Sequence, residues 1–377
     1  MSIRNRGALA FSGLAVAAAT AAVAFGSTAS AGASTDWSTV TSAAQGGGMS
    51  ALIAAAKAEG HLNVITLPSN WANYGTQMKE FTQMYGIKIT DEIPSGSSAQ
   101  EIQAIETTKG RSSAPDVVDV GQSFAETDSN LFAPYKVATW NMIPAANKDA
   151  NGTWFNDYGG YVSFGCDLKV VKTCPTTWKQ LLKPEYKNSV ALNGVPGQAG
   201  AATGAVWAAA INNGGSLNNA NPGLKFFNKL STIGNFNSTD CDASSLIEAG
   251  ACPIIVNWDF LNVAGAWGLP ASARWVVNVP NGKSFAEYYA QAISKSAPDP
   301  AAARLWEEFL YSTQGQNNFL KGYARPVELT AMVKNHTVDK AAYKLLPKVH
   351  NVATFPSIAQ TKKAATVIAN GWSIKAA

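Results

Sequence analysis

Charge is scarce in this sequence. Only 14% of its 377 residues are Asp, Glu, Lys or Arg, and the formal net charge is +4. The basic residues are scattered, so no basic stripe exists for a nucleic-acid backbone to follow. Hydrophobic residues still make up 46%, so the low charge does not signal disorder. Histidine is rarer, with three residues, His61, His336 and His350. Catalytic signatures are missing too. There is no G-x-S-x-G elbow, no H-E-x-x-H pair and no phosphate loop with its lysine. Asp116 and Asp119 form a carboxylate pair in or beside one predicted strand, so at least one faces away from any shared cleft. A secreted hydrolase such as a glycosidase stays as an alternative that nothing marks.

Long apolar runs are absent except at the start. Arg4 and Arg6 precede the run from Ala8 to Phe25, and Ala29-Ser30-Ala31 follows. A charged start, an Ala-rich core and a small-residue end predict a secretory signal peptide cut after Ala31; an N-terminal membrane anchor is the alternative. No cysteine follows the predicted cut, so no lipid-modified N-terminal cysteine is expected. The four cysteines are Cys166, Cys174, Cys241 and Cys252. Export places them in an oxidising compartment, which predicts disulfides. Of the three possible connectivities, the local one is expected, Cys166–Cys174 and Cys241–Cys252. A zinc site is the rival, but the histidines lie far away in the chain.

What is present is a regular alternation of strands and helices. An Ala-rich helix over Met49–Lys57 leads to the strand HLNVITL. A loop, Ser69 to Tyr74, opens a helix carrying Met78, Phe81, Met84 and Tyr85 on one side, and the strand IKIT follows: one βαβ unit. The loop Ser95-Gly96-Ser97-Ser98 then opens a helix with Ile102 and Ile105. The strand DVVDV comes next and ends in Gly121-Gln122-Ser123. Ligands of open α/β sheets bind beyond the carboxyl ends of strands. Three loops therefore converge: Ser69 to Tyr74, Ser95 to Ala99, and Gln122 to Phe124. Later segments repeat the pattern. They are a strand YVSFG, a helix over Thr177–Leu182, a strand at Val190–Leu192, a Gly-rich loop opening a helix with Trp207, and a helix over Pro222–Leu230. Strands at Ile254–Val256, RWVVNV and Tyr288–Ile293 follow. From Ala301, residues Ala302, Leu305, Trp306, Phe309 and Leu310 fall at helical spacing.

The candidate ligand residues follow from these loops. Asn70, Trp71, Tyr74, Ser97, Ser98, Gln122 and Ser123 come from the first half. Ser97 and Ser98 open a helix, where free N–H groups can hold an anion or a serine can simply cap. Gln198, in Gly197-Gln198-Ala199-Gly200, has the same two readings. Asp259 ends the strand after Asn257-Trp258. It can receive an ammonium, with the Trp258 face adding cation–π attraction, or it can cap the next helix. Tyr158, Tyr288 and Tyr289 can line a cleft or belong to the core.

The order of several short motifs resembles a known family. They are A-A-x-x-E-G at Ala55–Gly60, A-P-D-V-V-D at Ala114–Asp119, W-x-x-L-L-x-P-E-Y-K at Trp178–Lys187 and N-P-G-L-x-F-F at Asn221–Phe227. The last is the stretch Phe285–Val327, with its Ala-Pro-x-Pro and its run A-A-x-L-W-x-E-F-L-Y-S. Together they resemble bacterial extracellular solute-binding proteins of ABC importers, in the iron/polyamine/phosphonate-like branch. The resemblance covers nearly all of the mature chain. It implies an α/β, two-lobe, type-2 periplasmic-binding-protein fold with a ligand cleft between the lobes. It also implies a membrane permease of an ABC importer as partner, a monomer, no cofactor, no nucleic acid, no catalysis, and a periplasmic or extracellular location. The expected layout is a signal peptide (1–31), a linker (32–48), the first part of lobe 1 (49–157) and the first part of lobe 2 (158–284). A return to lobe 1 (285–330) and C-terminal helices mainly in lobe 2 (331–377) complete it. The crossovers near Gly159-Gly160 and Asn281-Gly282 are the expected hinges. Adjacent Tyr288 and Tyr289 resemble the phenolates of ferric-binding members, which makes iron an alternative ligand. An amine-bearing solute, a polyamine or an aminophosphonate-like zwitterion, is the leading expectation.

Overall fold

A computed structural model describes residues 35–374 apart from Ala264, Val352 and Thr354. The expected signal peptide lies outside the described residues. The first half of the fold contains α1 (Met49–Glu59), β1 (His61–Ile65), α2 (Tyr74–Tyr85), β2 (Lys88–Glu92), α3 (Ser98–Thr108), β3 (Val117–Gly121), α4 (Gln122–Thr127) and β4 (Phe132–Ala133). The long strand β5 (Phe155–Asp167) leads to β6 (Val190–Leu192), α5 (Gly200–Asn212), α6 (Asn221–Thr232), β7 (Phe236–Asp240), α7 (Ser244–Glu248), β8 (Ile254–Trp258), α8 (Asp259–Asn262) and β9 (Trp275–Asn278). Strand β10 (Ala286–Ser294) returns the chain to α9 (Pro300–Leu310), α10 (Thr313–Lys321), β11 (Arg325–Pro326), α11 (Leu329–Lys334), α12 (Lys340–Lys344) and α13 (Ile358–Gly371).

The larger sheet has the strand order β3-β10-β5-β8-β6-β7. Strand β5 belongs to both halves. Its residues up to Tyr161 pair antiparallel with β10 and β11. From Val162 onward they pair with β8 and β9. All thirteen of its residues are buried, so neither face is free to move without breaking apolar contact. Strands β1 and β2 form a separate parallel pair. Asp116, just before β3, holds that pair by accepting the Asn63 N–H at 2.6 Å.

Helix α9 forms as its spacing predicts, and Leu305, Trp306, Phe309 and Leu310 are buried. Trp306 meets Phe81 edge-on at 5.2 Å, which fastens α2 to α9. Burying each such aromatic contributes about 2–3 kcal/mol. Arg304 is buried on the same helix because backbone carbonyls satisfy it: Val40, Pro300 and Ser38 accept its N–H groups. This contact corrects the expected linker, since Trp37, Val40 and Ala43 are core residues. Three other expectations change. Thr177–Leu182 is a 3₁₀ turn rather than an α-helix. Met84 is exposed rather than on the buried side of α2. The C-terminal helices are shared: α11 and α12 pack on α10 through Leu320, Met332 and Ala342, and α13 packs on α4 of the first half as well as on α5 and α6. Both expected disulfides are formed, with Cα–Cα distances of 5.6 Å for Cys166–Cys174 and 6.1 Å for Cys241–Cys252.

Helices α5 and α6 pack closely enough that a Cβ on Gly223 would overlap the Val206 carbonyl. A backbone atom cannot swing aside as a side chain would. Gly223→Ala is therefore expected to destabilise the fold by about 1–3 kcal/mol, read as a lower urea midpoint with an unchanged slope.

Candidate functional site

A cavity of about 280 Å³ lies where the two halves face each other. Its walls come from the ends of strands and the starts of helices. Helix α3 contributes Ser98 and, with its cap, Ser97; α5 contributes Gly200 and Ala201. Both helix N-termini carry the positive end of a helix dipole. The halves touch on either side of the cavity. A Cβ on Gly121, at the end of β3, would sit 3.3 Å from the Gly200 Cα. Across the opening, Asn70 Nδ2 donates to the Ala266 carbonyl at 3.1 Å. The halves are thus in contact at both places, and the first approach is close enough that a side chain on Gly121 would press on Gly200.

Six of the expected residues line this cavity: Asn70, Trp71, Ser97, Ser98, Gln198 and Tyr289. Seven do not, and all but Ser123 are used elsewhere. Asp259 is fully buried, pairs with Arg325, and accepts the N–H groups of Tyr161 and Phe260. Its charge is already compensated, so it is not the ammonium site. Trp258 lies behind Tyr289, donating Nε1–H to the Tyr289 hydroxyl at 3.2 Å. Tyr288 stacks on Phe355 at 5.1 Å, whereas Tyr289 stacks on Tyr158 at 5.7 Å. Neighbouring strand residues point to opposite faces, so the two phenols do not converge as an iron pair. Gln122 donates to Glu126 within α4, and Ser123 is off the wall. Tyr74 and Tyr158 point inward, into the polar network beneath the floor.

That network hangs on Asp119. Tyr158 Oη donates to Asp119 Oδ2 at 2.7 Å, and Trp71 Nε1–H donates to Tyr158 Oη at 2.6 Å. Tyr74 Oη lies 3.0 Å from both Asp119 Oδ2 and Asp157 Oδ2. Gln291 Nε2 donates to Tyr74 Oη and to Asp157. Glu101 accepts the Asp119 backbone N–H at 3.0 Å. Burial pushes Asp119 well above the usual carboxylate range, and the Asp157 and Glu101 charges add to it. Burial also raises Glu101 and brings Asp157 to about 7.

The cavity wall holds four carboxylates, Glu101, Asp119, Asp240 and Asp242, and no lysine or arginine among the described residues. Three wall groups are buried without a hydrogen-bond partner among those residues: Asp119 Oδ1, an acceptor, and Asn257 Nδ2 and Trp267 Nε1, both donors. Buried polar atoms are nearly always paired, so these three mark where a ligand's complementary groups belong. Asn257 Oδ1 accepts the Trp258 N–H at 2.8 Å, which fixes Nδ2 as the free donor. The sequence reading had no site role for Asn257, Asp119, Asp240, Asp242 or Trp267. Asp240 is the last residue of β7 and Asn257 the second-last of β8, a position that could have marked them. Trp267 sits in an irregular loop with no such signal.

Two outcomes follow. Asp259→Ala leaves the Arg325 guanidinium buried and unpaired, and is expected to cost about 3–5 kcal/mol of stability by denaturant titration. The buried acids give a pH slope. Asp116 and Glu287 are raised to about 8 and Asp157 to about 7, each by burial. Their folded values exceed their unfolded ones, so the native state holds extra protons above about pH 4. Their contribution to stability is full at pH 4 and is lost as pH rises toward 8. Thermal midpoints of the ligand-free protein, compared at pH 5 and pH 8, are expected to be higher at pH 5.

Comparison with known proteins agrees with this geometry. Residues 112–348 match the family described as bacterial extracellular solute-binding protein. The chain is 27% identical over 250 residues to a putative 2-aminoethylphosphonate-binding periplasmic protein of Salmonella typhimurium, covering 64% of this chain and 70% of that one. Among solved structures, it is similar to the periplasmic binding protein AfuA of Actinobacillus pleuropneumoniae, determined with fructose-6-phosphate (TM-score 0.66, 17% identity, 83% of this chain and 97% of that one). It is also similar to iron-bound HitA of Pseudomonas aeruginosa (TM-score 0.59, 17% identity, 83% and 99%). The two-lobe, type-2 periplasmic-binding-protein fold is shared, and the relatives are binding proteins rather than enzymes. With its matching family, its two-lobe fold and a cleft lined by unpaired polar groups, the chain belongs to the bacterial extracellular solute-binding proteins, receptors that capture a small polar solute for an ABC importer.

Proposed function

We propose that the solute is a small zwitterion with an ammonium at one end and an oxyanion at the other, of the aminoalkylphosphonate kind. The observation that carries this is the set of unpaired groups in the wall. Asp119 Oδ1 suits an ammonium, while Asn257 Nδ2 and Trp267 Nε1 suit an acidic oxygen. The N-termini of α3 and α5 favour the oxyanion end. The remaining carboxylates and the faces of Trp71 and Tyr289 favour the ammonium. The Salmonella relative's name points to the same class. A polyamine is the second reading, favoured by four carboxylates with no lysine or arginine in the described wall. In either case the protein is exported by its N-terminal segment, acts as a monomer, and closes about β5 and β10 so that both lobes contact the solute.

Calorimetry on residues 32–377 with 2-aminoethylphosphonate, ethylphosphonate, putrescine and spermidine tests this. 2-Aminoethylphosphonate is expected to bind one to one, and ethylphosphonate, which lacks the ammonium, and putrescine, which lacks the oxyanion, at least about tenfold more weakly. Asn257→Ala is expected to weaken 2-aminoethylphosphonate by about 1.5–3 kcal/mol, the value of a hydrogen bond to a charged group. Tight spermidine binding with weak 2-aminoethylphosphonate binding would establish the polyamine reading instead. Binding by none of the four would remove both.

A further inference from the structure

The hydrogen-bond count beneath the cavity floor does not close with ionised acids alone. Tyr74 Oη has one proton, yet it lies 3.0 Å from a carboxylate oxygen of Asp119 and 3.0 Å from one of Asp157. Gln291 Nε2 already donates to Tyr74 Oη at 2.8 Å. One hydroxyl proton cannot serve two carboxylates. Two anions bridged by a single phenol, away from water, would also repel each other strongly. A further proton on the pair resolves both problems: one carboxyl donates to Tyr74 Oη while Tyr74 donates to the other.

We propose that solute capture exchanges cations at this pair: the ammonium of the solute takes the place of the proton shared by Asp119 and Asp157, and that proton leaves to solvent. The inference rests on the amine-bearing reading of the ligand. Asp119 joins the two compartments. Its Oδ2 is held by Tyr74 and Tyr158, while its Oδ1 is unpaired and its side chain lines the cavity with 5% exposure. The groups around it come from every packed element. They are Tyr74 on α2, Glu101 on α3, Asp157 and Tyr158 on β5, Tyr289 and Gln291 on β10, Glu307 on α9 beside Asp157, and Tyr311 just after α9. None is a base, and among the described residues no lysine, arginine or histidine forms an ion pair with Asp119 or Asp157. The pair therefore lacks a resident cation, and burial holds both carboxyls above the usual range. In the empty cleft a proton fills that role. In the loaded cleft the ammonium fills it, and charge is conserved: one cation enters and one proton leaves.

Proton release is measured directly by calorimetry in buffers of different ionisation enthalpy. The probe is 2-aminoethylphosphonate, or putrescine if that is the tighter binder. Each is titrated at pH 6, 7 and 8 into wild-type protein and into Asp157→Asn, an isosteric neutral change at the member of the pair that lies beneath the floor and leaves Asp119 in the wall. Wild-type protein is expected to release between about half and one proton more than the variant at pH 6–7. Its affinity should rise by up to about tenfold more per pH unit than the variant's. Subtracting the variant removes ionisation of the solute itself. Equal proton counts in the two proteins overturn the proposal. So does a wild-type enthalpy that is independent of the buffer with putrescine, which does not itself titrate in this range; that measurement needs no variant. If binding is tight and the counts are equal, only the exchange fails. If no amine-bearing solute binds, the ligand reading fails and takes the exchange with it.

Discussion

Everything in this fold is hung on one strand that changes partners. Strand β5 pairs with β10 and β11 up to Tyr161, then with β8 and β9 from Val162. Gly160 lies at the change. A Cβ there would collide with the Asp259 carboxylate and the Phe260 ring, so glycine is what lets the second half approach. Arg325, on β11, reaches across to that same Asp259. A buried ion pair of this kind adds little net stability, but losing one partner is costly. It acts as a fixed joint where the halves meet. The apolar mass is continuous across the junction: Trp306 and Phe81 in the first half and Trp207 and Phe227 in the second belong to one core.

The cleft inherits its chemistry from that arrangement. Strand ends and helix starts from both halves converge on it, so acceptors from β3 and donors from β8 face a common space. The first half supplies Asp119 and the second supplies Asn257 and Trp267. A solute that contacts both walls would favour a closed state by its differential affinity.

Much of the fold was legible because it depends on local pattern. The spacing of Leu305, Trp306 and Phe309 specifies α9, and the glycines and prolines mark its neighbours. The local disulfides followed from short polar loops between cysteines. Long-range pairing was not legible. Asp259 has the local signature of an ammonium site, but its partner Arg325 lies 66 residues further on. Tyr74 and Tyr158 sit in segments that lead to the cleft, yet their hydroxyls turn to Asp119 beneath it. The parity of β3 leaves at most one of its two acids for the cleft but does not say which. Asp116 and Asp119 cannot both face the cleft, and the structure turns Asp119 to it while Asp116 braces β1. The residues 36–48 looked loose because they are small and polar, although Trp37 and Val40 anchor them beneath Arg304.

The central claim is that the unpaired wall groups specify the orientation of the solute. A crystal structure with 2-aminoethylphosphonate bound tests it most directly. The account predicts the nitrogen within hydrogen-bond reach of Asp119 Oδ1, and the phosphonate oxygens within reach of Asn257 Nδ2 and Trp267 Nε1. A solute bound the other way round, or bound with those three atoms still unpaired, would contradict it.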